Sequence, residues 1–187
     1  DVYKRQIITK GGDLVNNVPS DVRMELYVRA KTMEAIDCQH HRVDEALKAG
    51  GAAVGAKTVI ETLPGMFPLA CSPRLNDLFV ENIKEYFPET KIEEAGHFTA
   101  STDMGDISHL MPSIHPFIGG VDGGLHTKDF CVTDFDAAAI LPGKVFAMNI
   151  IDLLYDEAAM AKEILEKEKP ILTKEEYLAK LESYFQS

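Results

Sequence analysis

An α/β fold is what this sequence predicts. Residues 22–30 alternate apolar and polar side chains, residues 33–47 place apolar ones at steps of three and four, and KTVIETL at 57–63 reads as a further strand. Period 2 marks a half-buried strand and period 3.6 an amphipathic helix. Strand, helix and strand in that order build a small α/β layer.

IITK at 7–10 is the first strand. Its turn is marked by Gly11-Gly12 and by Asn16-Asn17-Val18-Pro19-Ser20. In the second strand Val22, Met24, Leu26, Val28 and Ala30 form the buried face, and Arg23, Glu25, Tyr27 and Arg29 the wet one. Arg29 therefore points away from the core. Met33, Ile36, His40, Val43 and Leu47 form the helix stripe, which is expected to stop at Gly50-Gly51. On that stripe His40 reads as a hydrogen-bonded core residue. PGMFPLACSP is a Pro-rich exit, and the character changes after Pro73.

RLNDLFVENIKEYF is a helix with Leu75, Leu78, Phe79 and Ile83 on one side. SIHPFIGG is expected as a short strand into a Gly turn, and GLHTKDF as a loop. Thr133 or Asp134 caps a short helix, and Pro142 suits the first turn of the next. That next helix, to about Leu154, is apolar on most sides and should be central. Thr173-Lys174-Glu175-Glu176 is a capping box opening the last helix, with Tyr177, Leu178, Leu181 and Phe185 turned inward.

Charge excludes some partners. With 30 acidic against 19 basic residues the net charge is −11, and no Lys/Arg stripe offsets it, so nucleic acid is not an expected partner. Cys38, Cys71 and Cys131 are scattered without a CxxC, which suits reduced thiols in the cytoplasm and argues against a thiolate zinc knot. The richest apolar stretch, KVFAMNIIDLLYD, is broken by Asn149 and Asp152 and reads as a buried helix; no membrane partner is expected. The chain opens DVYKRQ, without Met or leader. These six residues resemble the in-frame translation of GATGTGTATAAGAGACAG, a transposon end used in preparing sequencing libraries. Residues 1–6 are therefore expected to be an adapter scar, which would put the protein's N-terminal part upstream of Ile7. The alternative is a native edge strand.

ASTDMGDISHLMPSIHPFIGG, 100–120, holds the candidates for chemistry. Asp103, after Ser101-Thr102, reads as a helix N-cap. His109 would lie two turns into that helix at its surface, and His115, before Pro116, reads as structural. His126 follows Gly119-Gly120 and Gly123-Gly124, at the end of a strand, where backbone can approach a site closely. One His makes no metal site, since a catalytic zinc takes about three protein ligands and an open position. No HxxH or HExxH is present.

ASTDMGDISHLMPSIHPFIGG followed by GGLHTKDF resembles the C-terminal signature of the aminoacylase and carboxypeptidase G type metallopeptidases, nearest the amidohydrolase branch that includes aminobenzoyl-glutamate hydrolase. GGDLVNNVPS resembles the family's Gly…Asn-x-x-Pro turn and ELYVRA its following strand ending in Arg. The resemblance runs from about Ile7 to Leu165. It implies residues 7–72 as part of a small α/β sandwich lid, the dimerisation domain, and 73–187 as the C-terminal part of the α/β catalytic domain. His126 takes the slot of a ligand to one of two divalent ions, Zn or Mn. Asn16 and Arg29 match lid residues that meet the substrate, Arg29 through its carboxylate, in a neighbouring subunit's site included. Asp103 supports the wall by capping a helix or holding a loop.

The implied activity is hydrolysis of an amide bond in small N-acyl amino acids or dipeptide-like substrates. Two metals would acidify a bridging water while a Glu base takes its proton. The family's other ligands and that Glu lie upstream of the lid and have no counterpart here, so no catalytic base is expected in this chain. It reads as an inactive C-terminal fragment of a homodimeric enzyme. Two rivals stand beside this reading: a non-catalytic α/β binding or oligomerisation module, and a degenerate paralogue that has lost its metals.

Overall fold

The computed structural model describes residues 2–94, 96 and 100–185. They form two compact units: 1–69 with 96–103 and 178–187, and 70–95 with 104–177. Helices and small sheets are mixed, as an α/β reading requires.

The first unit is built on an antiparallel ribbon. β1 (Val2–Lys10) pairs with β2 (Arg23–Ala30), with Ile7 opposite Glu25, Arg29 opposite Tyr3, and an irregularity between Ile8 and Lys10. Residues 2–6 thus contribute backbone to β1. The core-facing side of β2 is graded: Ala30 is buried and Leu26 and Val28 half-buried, but Met24 and Val22 are exposed. α1 (Met33–Ala53) starts at Thr32, whose hydroxyl accepts from the Ala35 amide at 3.2 Å. Its expected stripe, Met33, Ile36, His40, Val43 and Leu47, is half-buried throughout. His40 lies 3.5 Å from the Asp44 carboxylate.

α1 runs past Gly50-Gly51. It ends where Ala56 N–H donates to Gly51 O (2.9 Å) and Gly55 N–H to Ala52 O (3.1 Å), with Gly55 at φ 71°, a Schellman closure. This closure explains why KTVIETL is not a strand. The Thr58 hydroxyl donates to Leu47 O at 3.4 Å and packs where a Gly51 Cβ would stand, tying the segment to the helix end. Residues 56–69 run on without a ladder, leaving Val59 79% exposed.

In the second unit α2 (Pro73–Tyr86) opens on Ser72, whose hydroxyl accepts from Leu75 N–H at 3.1 Å, with Pro73 at the first helical position. Its buried side is Leu78, Phe79, Asn82 and Ile83, with Leu75 half-buried. α3 (Met104–Leu110) follows. A short hairpin, β3 (Val121–Asp122) and β4 (Cys131–Val132), leads to a π-helical turn at Asp136–Ile140 and then to α4 (Leu141–Lys167). Asp134 Oδ1 accepts from Ala137 N–H at 3.0 Å, the cap expected there, and Pro142 sits in the first turn of α4. SIHPFIGG forms no strand. Ser113 is buried with its carbonyl taken by Ser72 N–H at 2.8 Å, and Pro116 has no amide to offer a ladder.

α4 is not the central helix its composition predicts. It buries one side only, Val145 and Asn149, against α2, and leaves Ile150, Ile151 and Leu154 exposed. By length and composition Asp136–Lys167 could cross a membrane. Against that, Tyr155–Ala158 leave helical geometry, with Asp156, Glu157 and Ala158 at positive φ. The Asn82 amide also donates to Asn149 Oδ1 (2.9 Å) and Asp152 Oδ2 (2.8 Å), so the polar groups of α4 face α2 rather than interrupting an apolar surface.

The core here is Phe79, Ile83 and Val145, with Phe87, Ile114 and Leu141 against it. Val145 is fully buried. Val145→Ala is expected to destabilise this unit by about 2 kcal/mol, from lost methyl transfer plus the cavity left. A denaturation midpoint unmoved by the change would remove Val145 from the core.

α5 (Lys174–Tyr184) opens with the expected capping box: Glu176 Oε2 accepts from Thr173 N–H at 2.8 Å, and Thr173 Oγ1 from Glu176 N–H at 3.2 Å. The bonds from Thr173 hold the Glu176 carboxyl below its usual range. Of the four residues expected inward, Tyr177 and Leu181 are half-buried, while Leu178 and Phe185 are exposed. Polar contacts set the helix's rotation. Asp37 of α1 receives Lys180 Nζ at 2.6 Å and the Tyr184 hydroxyl at 2.8 Å, turning that side inward. Burial, then the bond to Asp37, pushes the Tyr184 phenol well above its ordinary value.

Candidate metal and substrate residues

Residues 104–120 are held by polar contacts within the second unit. Ser108 Oγ donates to Gly105 O at 2.7 Å and accepts from Ala70 N–H at 3.0 Å. His109 is buried, not at the surface as its spacing suggests. A carbonyl only accepts, so His109 Nδ1 carries the proton and donates to Gly105 O at 2.9 Å. Gly105 is itself buried. His109 O accepts from Leu172 N–H at 3.0 Å, and Asp106 Oδ1 from the Tyr177 hydroxyl at 3.1 Å. Burial and Asp106 raise the Tyr177 phenol. His115 packs edge-on to Phe117 with ring centroids 5.6 Å apart. Composition could have suggested this: DMGDISHL puts Gly105, Ser108 and His109 at steps of three and four, one side of a helix.

Asp103 is exposed and immediately precedes α3; it falls in the first unit, as do Asn16 and Arg29. Asn16 occupies the exposed loop between β1 and β2, inside a turn closed by Asn17 N–H to Leu14 O at 3.3 Å. Asp21 clasps the base of that loop, accepting from Lys10 Nζ at 3.3 Å and from Arg23 Nε at 3.0 Å. These partners, Arg23 first, hold the Asp21 carboxyl below its usual range. Arg29 lies near the other end of β2, half-buried, its guanidinium 5.2 Å from the centre of the Tyr27 ring. At about 3.4 Å per residue the strand puts roughly 20 Å between Arg29 and the loop base at Arg23. Asn16 itself lies within the loop, off the ladder, and Arg29 on it.

His126 stands on the hairpin of the second unit. It is in the turn between β3 and β4 rather than at a strand end, exposed, at φ 64°. Thr127 N–H donates to Gly124 O at 3.1 Å and Thr127 Oγ1 to the same oxygen at 2.8 Å, closing a turn with His126 at its third position. A non-Gly residue at positive φ is uncommon, and such outliers gather at functional sites. Nothing in the one-letter pattern shows it, because Gly123-Gly124 beside it suggest that glycine takes the left-handed positions.

Among the described residues no group of three or more His, Cys, Asp or Glu side chains is gathered closely enough to hold a metal ion. Among the described residues His41 and His126 are the exposed imidazoles, the first on α1 and the second on the hairpin, and a catalytic ion needs about three protein ligands. His126 is suited to be one member of a ligand set; these residues do not make the set.

No family model and no solved structure matches the chain. Two curated relatives do. An Xaa-Arg dipeptidase of Mus musculus is 28% identical over 162 residues, covering 82% of this chain and 38% of the relative. The Xaa-Arg dipeptidase of Homo sapiens is 24% identical over 157 residues, covering 80% and 36%. The chain thus spans less than two fifths of the length of the curated relatives it matches. These relationships support the resemblance to the aminoacylase and amidohydrolase type of metallopeptidase.

Proposed function

We propose that the chain is the C-terminal part of a longer metal-dependent peptidase that hydrolyses the amide bond of small N-acyl amino acids or dipeptide-like substrates. The observation that carries this reading is its relationship, over most of its length, to two Xaa-Arg dipeptidases that are much longer than itself. In it, His126 supplies one metal ligand, and the remaining ligands and the general base come from outside these 187 residues. Zn and Mn both suit a site of imidazole and carboxylate. Asn16 and Arg29 contact the substrate from the lid, Arg29 through the substrate carboxylate, and Asp103 supports the loop before α3.

Asn16 and Arg29 serve the site when two copies pair through the first unit. Ile7, Ile8 and Tyr27 lie exposed there for a partner to cover. The net charge of −11 favours approach of a cationic substrate, such as a dipeptide ending in Arg. Unpaired cysteines fit a cytoplasmic protein.

The test compares the 187-residue chain with the longer protein, each given zinc or manganese and a panel of Xaa-Arg dipeptides and N-acyl amino acids. The longer protein should turn over one of these with metal, and the chain alone should not. Metal-dependent turnover by the chain alone would refute the divided site. Inactivity of both, with no metal bound by the longer protein, would favour a non-catalytic module.

A further inference from the structure

We propose that Thr127 and Gly123 are positioning residues that hold His126 in its left-handed conformation and so aim the imidazole; the aim serves metal binding only if His126 is the ligand proposed above. L residues are disfavoured at φ 64°, and His126 is exposed, so burial of its ring does not hold it there. What holds it is the backbone on either side.

On the C-terminal side, Thr127 spends both its amide and its hydroxyl on the Gly124 carbonyl, at 3.1 and 2.8 Å. Its own carbonyl accepts from Phe130 N–H at 3.3 Å, so a second turn follows directly. On the N-terminal side Gly123 stands at φ 85°, packed against the returning strand. A Cβ there would meet the Asp129 carbonyl oxygen and lie 2.6 Å from its carbon and 2.8 Å from Phe130 N.

The hairpin base is fixed in the same manner. Gly120 O accepts from Thr133 and Asp134 N–H at 2.9 and 3.1 Å, and a Gly120 Cβ would come 2.5 Å from Asp134 O. A hairpin of two-residue strands is weak by itself. These contacts brace it against the start of the π-helical turn and leave its tip one backbone state. Such a tip fixes the direction in which the His126 Cα–Cβ bond leaves the backbone, and with it the region the imidazole can reach.

The experiment is NMR of the isotopically labelled 187-residue chain. Positive φ brings a residue's amide and α protons close, so His126 should show a strong intraresidue HN–Hα cross-peak. Thr127→Val, nearly isosteric without the hydroxyl, and Gly123→Ala should each weaken that cross-peak and move the His126 Cα and Cβ shifts toward random-coil values. Thr127→Ser, which restores the hydroxyl, should keep both. His126→Gly should raise the melting temperature and His126→Val lower it. Unchanged His126 signals in Thr127→Val and Gly123→Ala overturn the positioning role, whatever His126 binds. Full metal retention by His126→Ala in the longer protein overturns the ligand reading instead, and the NMR result does not depend on it.

Discussion

Replacing His126 by alanine in the longer protein is expected to remove metal and turnover together. Loss of a residue that merely orients a ligand costs roughly 10–100-fold in metal affinity or activity. Loss of a ligand itself should exceed that range, so kcat/KM is expected to fall by more than about 100-fold. The fold should persist, because His126 is exposed on a turn and buries no core surface. His126→Asn is the informative companion. Asn tolerates the left-handed conformation observed at φ 64° better than most residues, so it keeps the backbone and removes only the imidazole. Equal loss in the two variants assigns the effect to the ring. Metal content and kcat/KM near wild type in either would make His126 a bystander.

How much of this could be read from sequence differs between elements. The Thr173–Glu176 box, the α1 stripe, the Asp134 cap and the apolar side of α2 were legible, because each is local: the caps join a side chain to backbone one turn away, and the stripes repeat at the helix period. What failed was non-local. KTVIETL has the composition of a strand, but a strand exists only where another edge accepts its amides, and the close of α1 takes its first residues first. α4 is apolar on most sides, yet among the described residues it buries little beyond the side that meets α2, so composition overstated its burial. His109 was misplaced for the converse reason: in a helix of 7 residues it shares the buried side with Gly105 and Ser108, its ring bonded to the Gly105 carbonyl. The candidate residues were legible as types in order, His126 after paired glycines and Arg29 on the polar face of a strand. It was not legible as geometry. The backbone state of His126 depends on contacts from Asp129 and Phe130 that no periodicity encodes, and the distance from Arg29 to the Asn16 loop appears only once the ribbon's register is fixed.

Arg29→Ala is expected to act on substrate binding and to spare the metals. Arg29 lies on the alternating polar side of β2, opposite Tyr3 in the ladder. A bidentate guanidinium–carboxylate contact is a charge-assisted hydrogen bond contributing roughly 1.5–3 kcal/mol. That corresponds to a loss of about 10- to 150-fold in kcat/KM. The loss should appear for substrates bearing a free carboxylate and be small for their amides, since an amide cannot use the same charge. Arg29→Lys should recover only part of it, because an ammonium lacks the planar fork. A structural role predicts a different pattern. The guanidinium stands 5.2 Å from the Tyr27 ring, and losing that stacking would loosen the ribbon for every substrate alike. Tyr27→Ala separates the two: it removes the stack and keeps the charge. If Tyr27→Ala matches Arg29→Ala on both substrate classes, Arg29 holds the strand and leaves the site. If only Arg29→Ala discriminates carboxylate from amide, Arg29 reads the substrate.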